Sequence, residues 1–167
     1  MRVADVQSIF RALNEADVKY LVVGGLAVNA HGYLRVTIDA DIVLHLEPGN
    51  VARAMHALEA IGYQPLVPVA ASEFADPEKR RSWIQEKHMI VFQMRNPDRD
   101  STRLDIFVAE PFPFEETYQH TFWDALHGVR VPIVPYEELV RLKTAAGRPQ
   151  DMLDLQQLEL IRQNRQR

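Results

Sequence analysis

Residues 20 to 46 read YLVVGGLAVNAHGYLRVTIDADIVLHL, and the reading of this stretch decides the rest. Tyr20 to Val23 is an apolar strand, Gly24-Gly25 ends it and opens a short helix, and a second strand follows that carries Asp39 and Asp41. Strand side chains alternate faces, so Asp39 and Asp41 are predicted on one side together with Thr37 and Arg35. Ile38, Ala40, Ile42 and Leu44 take the other side, where they can face a core. Two adjacent carboxylates repel unless a cation sits between them. Mg²⁺ prefers one or two carboxylates plus phosphate oxygens, which a D-x-D pair can help supply. Upstream, the paired glycines lack Cβ atoms, so the backbone can approach a phosphate where helix amides favour an anion. A phosphate cradle beside metal-binding carboxylates indicates phosphoryl or nucleotidyl transfer.

Working outward, Val3, Val6, Ile9, Phe10 and Leu13 recur at helical spacing, which predicts a scaffold helix over residues 3 to 16. After the acidic strand, Glu47-Pro48-Gly49 marks a turn, with Asn50 as the expected cap of a helix that buries Val51, Ala54, Met55, Leu58 and Ile61 and stops at Gly62. Residues 64 to 79 carry prolines without a clear period and read as a loop or flap. A helix is predicted from Pro77 to Glu86, capped by Asp76. Its Lys79, Arg80, Arg81, Trp83 and Lys87 fit either contact with an acceptor nucleic acid or a solvated face with Trp83 packed on the sheet.

Residues 88 to 94 have strand character, Asn96-Pro97-Asp98 is a turn, and residues 102 to 109 form the next strand. There Arg103, Asp105 and Phe107 share one side, opposite Leu104, Ile106 and Val108. A lone carboxylate in so apolar a strand is costly unless something pairs with it. Arg103 is near, although two residues along a strand is not ideal spacing for an ion pair. Residues 110 to 121 read as a loop, and residues 128 to 134 as a strand placed at a sheet edge by Pro132. Helices follow from Pro135 to Ala146, ended by Gly147, and from Pro149 onward, so the C-terminal helices run from about 135 to 165. His31 is expected to pack or cap, and His120 and His127 have no ligand-spaced partners.

At 167 residues the chain fits a single domain, residues 1 to 167, and the order of its elements indicates an α/β or α+β sheet covered by helices. Hydrophobic residues make up 47% and charged residues 25%, a balance that supports a buried core. A net charge of −4 argues against a broad basic surface for nucleic acid, though a local basic cleft stays open. No run of about eighteen apolar residues occurs, so no membrane helix is expected. The N-terminus makes a poor signal peptide, and with no cysteine neither a disulfide nor a thiolate metal site is possible; both fit a cytoplasmic protein.

The glycine turn, short helix and R-x-T-x-D-x-D segment, here GGLAVNAHGYLRVTIDADIVL, resemble the polymerase-β-like minimal nucleotidyltransferases, including the AbiEii-type toxin group. The likeness extends through Leu139, Lys143, Gly147, Arg148, Asp151 and Asp154 and covers most of the chain. It implies that Asp39, Asp41 and, as third carboxylate, Asp105 are catalytic and bind two Mg²⁺ ions, with Asp105 also suited to general base. It implies that Gly24 and Gly25 cradle the phosphates of an NTP substrate, aided by Arg35, Thr37 or Lys143; Lys143 fits a scaffold role equally, and Arg148 with Asp151 reads as a helix-start ion pair. One departure is Gly25, where many relatives carry Ser, so backbone amides must take over that contact. The implied reaction moves an NMP to an acceptor hydroxyl on tRNA, protein or a small molecule, with release of pyrophosphate. A cognate antitoxin is a further implied partner, and the alternative is a non-catalytic nucleotide- or partner-binding module.

Overall fold

The computed structural model describes residues 1 to 98 and 100 to 165. Helix α1 (Val3–Glu15) leads into β1 (Tyr20–Val23), α2 (Gly24–Ala30), β2 (Ala40–Leu44) and α3 (Pro48–Ala60). Then come β3 (Gln64–Pro65), a 3-10 turn (Ala71–Ala75), α4 (Pro77–Lys87), β4 (Val91–Arg95) and β5 (Leu104–Phe107). The chain finishes with α5 (Phe114–Gln119), β6 (Phe122–Leu126), β7 (Val129–Ile133), α6 (Tyr136–Ala146) and α7 (Pro149–Arg165). The strands form one mixed sheet in the order β3-β4-β5-β2-β1-β7-β6. No described helix is long and apolar enough to cross a membrane.

The central strands are β1 and β2, antiparallel with Val23 opposite Asp41. All four residues of β1 are buried, as its unbroken apolar run requires of a strand covered on both faces. On β2 lies β5, parallel and in register, with Asp41 beside Asp105. Helices α1 and α3 pack on each other, and α1 buries Val6, Ile9, Phe10 and Leu13. A second group joins α2, α6 and α7.

Several expectations are corrected. Only Ala40–Leu44 of the expected acidic strand pairs into the sheet. β1 ends opposite Asp41 and β5 begins opposite Ala40, so the extended segment before Ala40 has no neighbouring strand. Alternation persists there, but Ile38 faces solvent with Leu34 and Val36 instead of a core. Helix α3 starts earlier than its sequence suggested. Glu47 is its cap, accepting from the Gly49 and Asn50 amides, with Pro48 in the first turn. Asn50 is instead a buried tie that bonds the backbone of Lys19 and His45.

The loop expected over residues 64 to 79 contains β3 and the 3-10 turn, and Phe74 in that turn is buried. The expected loop over 110 to 121 holds α5. β7 is not an edge strand, because β6 pairs outside it through the tight turn at His127-Gly128, both with positive φ. Pro132 is tolerated because β7 meets β1 only around Val22 and Ile133.

Helix α4 starts at Pro77 under Asp76, as expected. Its Trp83 is buried, stacked on Phe92 at 5.5 Å, while Phe74 lies 4.9 Å from Phe92. Arg80 is buried and donates to the Phe74 carbonyl. Arg81 pairs with Glu78, and Lys79 with Glu73. The aromatic is therefore core, and three of the helix's basic groups are engaged within the fold. Trp83→Ala is expected to cost about 3–5 kcal/mol of stability, read by urea unfolding; a loss under about 1 kcal/mol contradicts the core assignment.

Candidate active site

Three carboxylates gather where β2 and β5 meet. Asp41 and Asp105 stand side by side on neighbouring parallel strands, and Asp39 precedes β2. Burial raises the Asp41 pKa to about 6, and the charges of Asp105 and Asp39 add to the rise. Asp105 is also raised, by burial above all, against the opposing pull of Arg103 and Gln93. Gln93 on β4 sits opposite Asp105 and donates to both its oxygens at 3.2 and 3.3 Å. Sequence reasoning missed Gln93; the available signal was a single polar side chain within the apolar run IVFQM.

The glycine turn has a tighter purpose than expected. Gly24 adopts φ +62°, and a Cβ there would meet Asp41 Oδ2 at 2.0 Å. At Gly25 a Cβ would meet Thr37 Oγ1 at 2.5 Å and Arg35 Nη1 at 3.2 Å. Both glycines therefore make room for this chain's own site residues, whatever they do for a ligand. Thr37 occupies the ground a serine at position 25 would need, a physical reason for glycine at that position.

Arg35 and Lys143 lie beside the carboxylates within a buried ionic network. Arg35 makes two bonds to Asp154, from Nε at 2.7 Å and Nη2 at 3.0 Å. Lys143, itself buried, bonds Asp151 at 2.8 Å and Asp154 at 2.7 Å. Arg148 Nε completes the network on Asp151 at 2.7 Å. Burial pushes Asp151 up, but the bonds from Arg148 and Lys143 outweigh it and leave its pKa at about 2. Three cations against two carboxylates leave one positive charge in excess, and Lys143 and Arg148 offset part of the rise at Asp41. The network also ties α6 and α7 to the segment before β2.

A cleft of about 530 Å³ opens over these groups. Gly24, Asp41 and Asp105 line it along with Lys143 and Arg148. Its remaining wall is mostly apolar, including Ile90, Phe107, Pro111 and Leu142. No residue of α4 lines it, so the basic cleft imagined around Lys79 to Lys87 is not part of this site. His31 packs as expected, its Nε2 on the Val134 carbonyl at 2.9 Å and its ring edge-on to Phe122.

The donor chemistry suits a hard divalent cation: the three carboxylates offer oxygen ligands only, and Asp41 is held above its ordinary value by burial first and by its acidic neighbours second. Among the described residues, however, no three such groups converge closely enough to grip an ion as they stand. Arg103 stands between two of the carboxylates. Its Nη2 donates to Asp39 Oδ2, and its Nε lies 3.2 Å from Asp105 Oδ1, so a guanidinium spans the two carboxylates. The spacing that looked poor along a strand works because Arg103 lies just before β5.

No protein-family model matches the sequence, and no curated protein matches it. Solved structures do. The lincosamide antibiotic adenylyltransferase LnuA, in a lincomycin-bound structure, superposes with TM-score 0.63 at 15% identity over 95% of this chain and 96% of that one. The fold is that of the nucleotidyltransferases. ANT(2″)-Ia, in complex with adenylyl-2″-tobramycin, gives 0.57 at 14% identity over 97% and 95%. An antigenic nucleotidyltransferase-like protein from Paracoccidioides brasiliensis gives 0.57 at 17% identity over 93% and 74%. At such identities the likeness establishes the fold alone.

Folding lifts the Asp41 pKa from its ordinary 3.8 to about 6, so between those pH values the folded chain binds more protons than the unfolded chain. Stability without metal therefore falls as pH rises through that window, and the penalty is complete above it. Asp41→Asn removes the penalty. Thermal unfolding in EDTA should show this variant more stable than wild type at pH 7, with the gain vanishing toward pH 4. A less stable variant at pH 7 contradicts the crowding of charge described above.

Proposed function

We propose that this protein is a Mg²⁺-dependent nucleotidyltransferase that moves an NMP from an NTP to an acceptor hydroxyl. The observation that carries the reading is the register of Asp41 beside Asp105, with Asp39 adjacent, at the floor of a cleft bordered by excess positive charge. Asp39, Asp41 and Asp105 are the groups that hold Mg²⁺ in this reading, as one ion or two. Bound there, Mg²⁺ supplies neutralisation of triphosphate charge and acidifies an attacking hydroxyl.

The chain's own residues do the remainder. Lys143 and Arg148 present positive charge to the triphosphate across the cleft, with Arg35 supporting them through Asp154. Gly24 lines the same space, and Thr37, packed on Gly25, holds the turn in place. The acceptor oxygen attacks the α-phosphorus, its bond to the pyrophosphate leaving group breaks, and Asp105 accepts the acceptor's proton. The apolar wall favours a small hydroxyl compound with an apolar face as acceptor over the phosphate-rich backbone of tRNA. The small molecules named with the two similar structures, lincomycin and adenylyl-2″-tobramycin, support a small-molecule acceptor. A protein hydroxyl is the next acceptor class, and a cognate antitoxin remains a proposal on the sequence resemblance alone.

One observation favours the second reading, a non-catalytic nucleotide- or partner-binding module. Arg103 already fills the ground between Asp39 and Asp105. The two readings part in one assay: α-labelled NTPs, each with Mg²⁺, offered to a panel of small hydroxyl compounds, total tRNA and protein. The first reading expects label in the small-molecule pool, lost in Asp41→Asn. No label in any pool, while calorimetry still detects Mg-NTP binding, supports the binding module; no NTP binding at all defeats both.

A further inference from the structure

Among the described residues, Arg103 is the cation that touches the carboxylate cluster without belonging to the network of α6 and α7. It bonds Asp39 through Nη2 and faces Asp105 through Nε, and its charge also acts on Asp41. A single guanidinium thus confronts all three acidic groups. The seat is incomplete. Nε is buried but finds no aligned hydrogen-bond acceptor, despite lying 3.2 Å from Asp105 Oδ1. The side chain is 39% exposed, so solvent is open to it on one side. Asp105 has other support, because Gln93 bonds both its oxygens and keeps it in place whatever Arg103 does.

From these contacts we infer that Arg103 is the site's resident counter-ion, exchanged for the divalent cation when one binds. The inference rests on the metal-dependent reading above and deepens it by naming what the metal must displace. With no divalent ion, the guanidinium offsets the repulsion among Asp39, Asp41 and Asp105 and keeps them aligned. A divalent cation reaching the same carboxylates competes with it electrostatically, since the two cations would repel each other in the space between Asp39 and Asp105 that the guanidinium now spans. The planar fork of arginine spans two carboxylates; a lysine ammonium at the same position satisfies one. Once released, the guanidinium can swing through its exposed side toward an anionic substrate. Arg103 is accordingly a positioning residue that sets metal affinity, and removing it loosens the apo site while tightening the metal-bound one.

The test is Mn²⁺ binding to the full chain, followed by the electron paramagnetic resonance signal of free Mn²⁺, with thermal unfolding in EDTA and in Mn²⁺ as second readout. Arg103→Met keeps the aliphatic stem and removes the charge. It should bind Mn²⁺ roughly tenfold more tightly than wild type, the scale expected from losing one competing charge-assisted bond. Its melting temperature should fall in EDTA and recover more on adding Mn²⁺ than that of wild type. Arg103→Lys, which keeps charge without the span, should lie between the two and serves as the readout if Arg103→Met does not fold without metal.

Equal or weaker Mn²⁺ affinity in both variants overturns the inference. If that happens while wild type binds Mn²⁺ and Asp41→Asn does not, the role of Arg103 falls and the metal site stands. If wild type, Arg103→Met and Arg103→Lys all bind no Mn²⁺, the metal-dependent reading falls with it.

Discussion

Three carboxylates crowded at the end of two neighbouring strands are the constraint from which the rest of the structure follows. Parallel strands lie about 4.8 Å apart, so the register of Asp41 with Asp105 forces two negative charges into contact range before Asp39 adds a third. Such an arrangement persists only if its surroundings answer it. Here the answer comes in two layers. Arg103 stands among the carboxylates themselves, and behind them Lys143 and Arg148 bring positive charge from the C-terminal helices. Asp41 nonetheless remains raised to about 6, by burial first and by the charges of Asp105 and Asp39 after it.

The same constraint explains why glycine occupies both turn positions. The backbone at Gly24 and Gly25 is pressed against Asp41 and Thr37, leaving no space for even one Cβ at either. Strand, turn and carboxylate are therefore one mechanical unit. The ionic network serves it from the other side: Asp154 and Asp151, fully buried, hold Arg35, Lys143 and Arg148 in one fixed arrangement. A buried network of this kind contributes less to net stability than to a single geometry.

Much of this was legible in the sequence. The apolar run of β1, the paired glycines and the D-x-D spacing indicated the two central strands and the short helix between them, because strand alternation and glycine's freedom are local properties. The helical stripe of α1 and the stop at Gly147 were readable for the same reason. Asp105 was found as a costly polar intrusion into an apolar strand, though its register with Asp41 was not. What escaped depends on contacts distant in the chain. Ile38 looked like core because alternation says nothing about where neighbouring strands end. Pro132 suggested an edge, but β6 lay hidden in FWDAL and covers that side. The ion pairs of Arg35 and Lys143 were not readable, because the aspartates that hold them lie on α7. Trp83 and the basic residues around it fitted either a nucleic-acid face or a packed aromatic with solvated charges, and the buried Phe74 and Phe92 decide for the packed aromatic.

The most direct test of the account is a crystal structure with Mn²⁺ and a non-hydrolysable NTP, using the anomalous signal to locate the metal. The account predicts Mn²⁺ bound by Asp41 and Asp105, with Asp39 in the same cluster, at the distance of about 2.1 Å expected for a hard divalent site. It also predicts the triphosphate beside Lys143 and Arg148, and Arg103 turned away from Asp39. Metal peaks elsewhere, or a nucleotide bound with Arg103 still spanning Asp39 and Asp105, would contradict it.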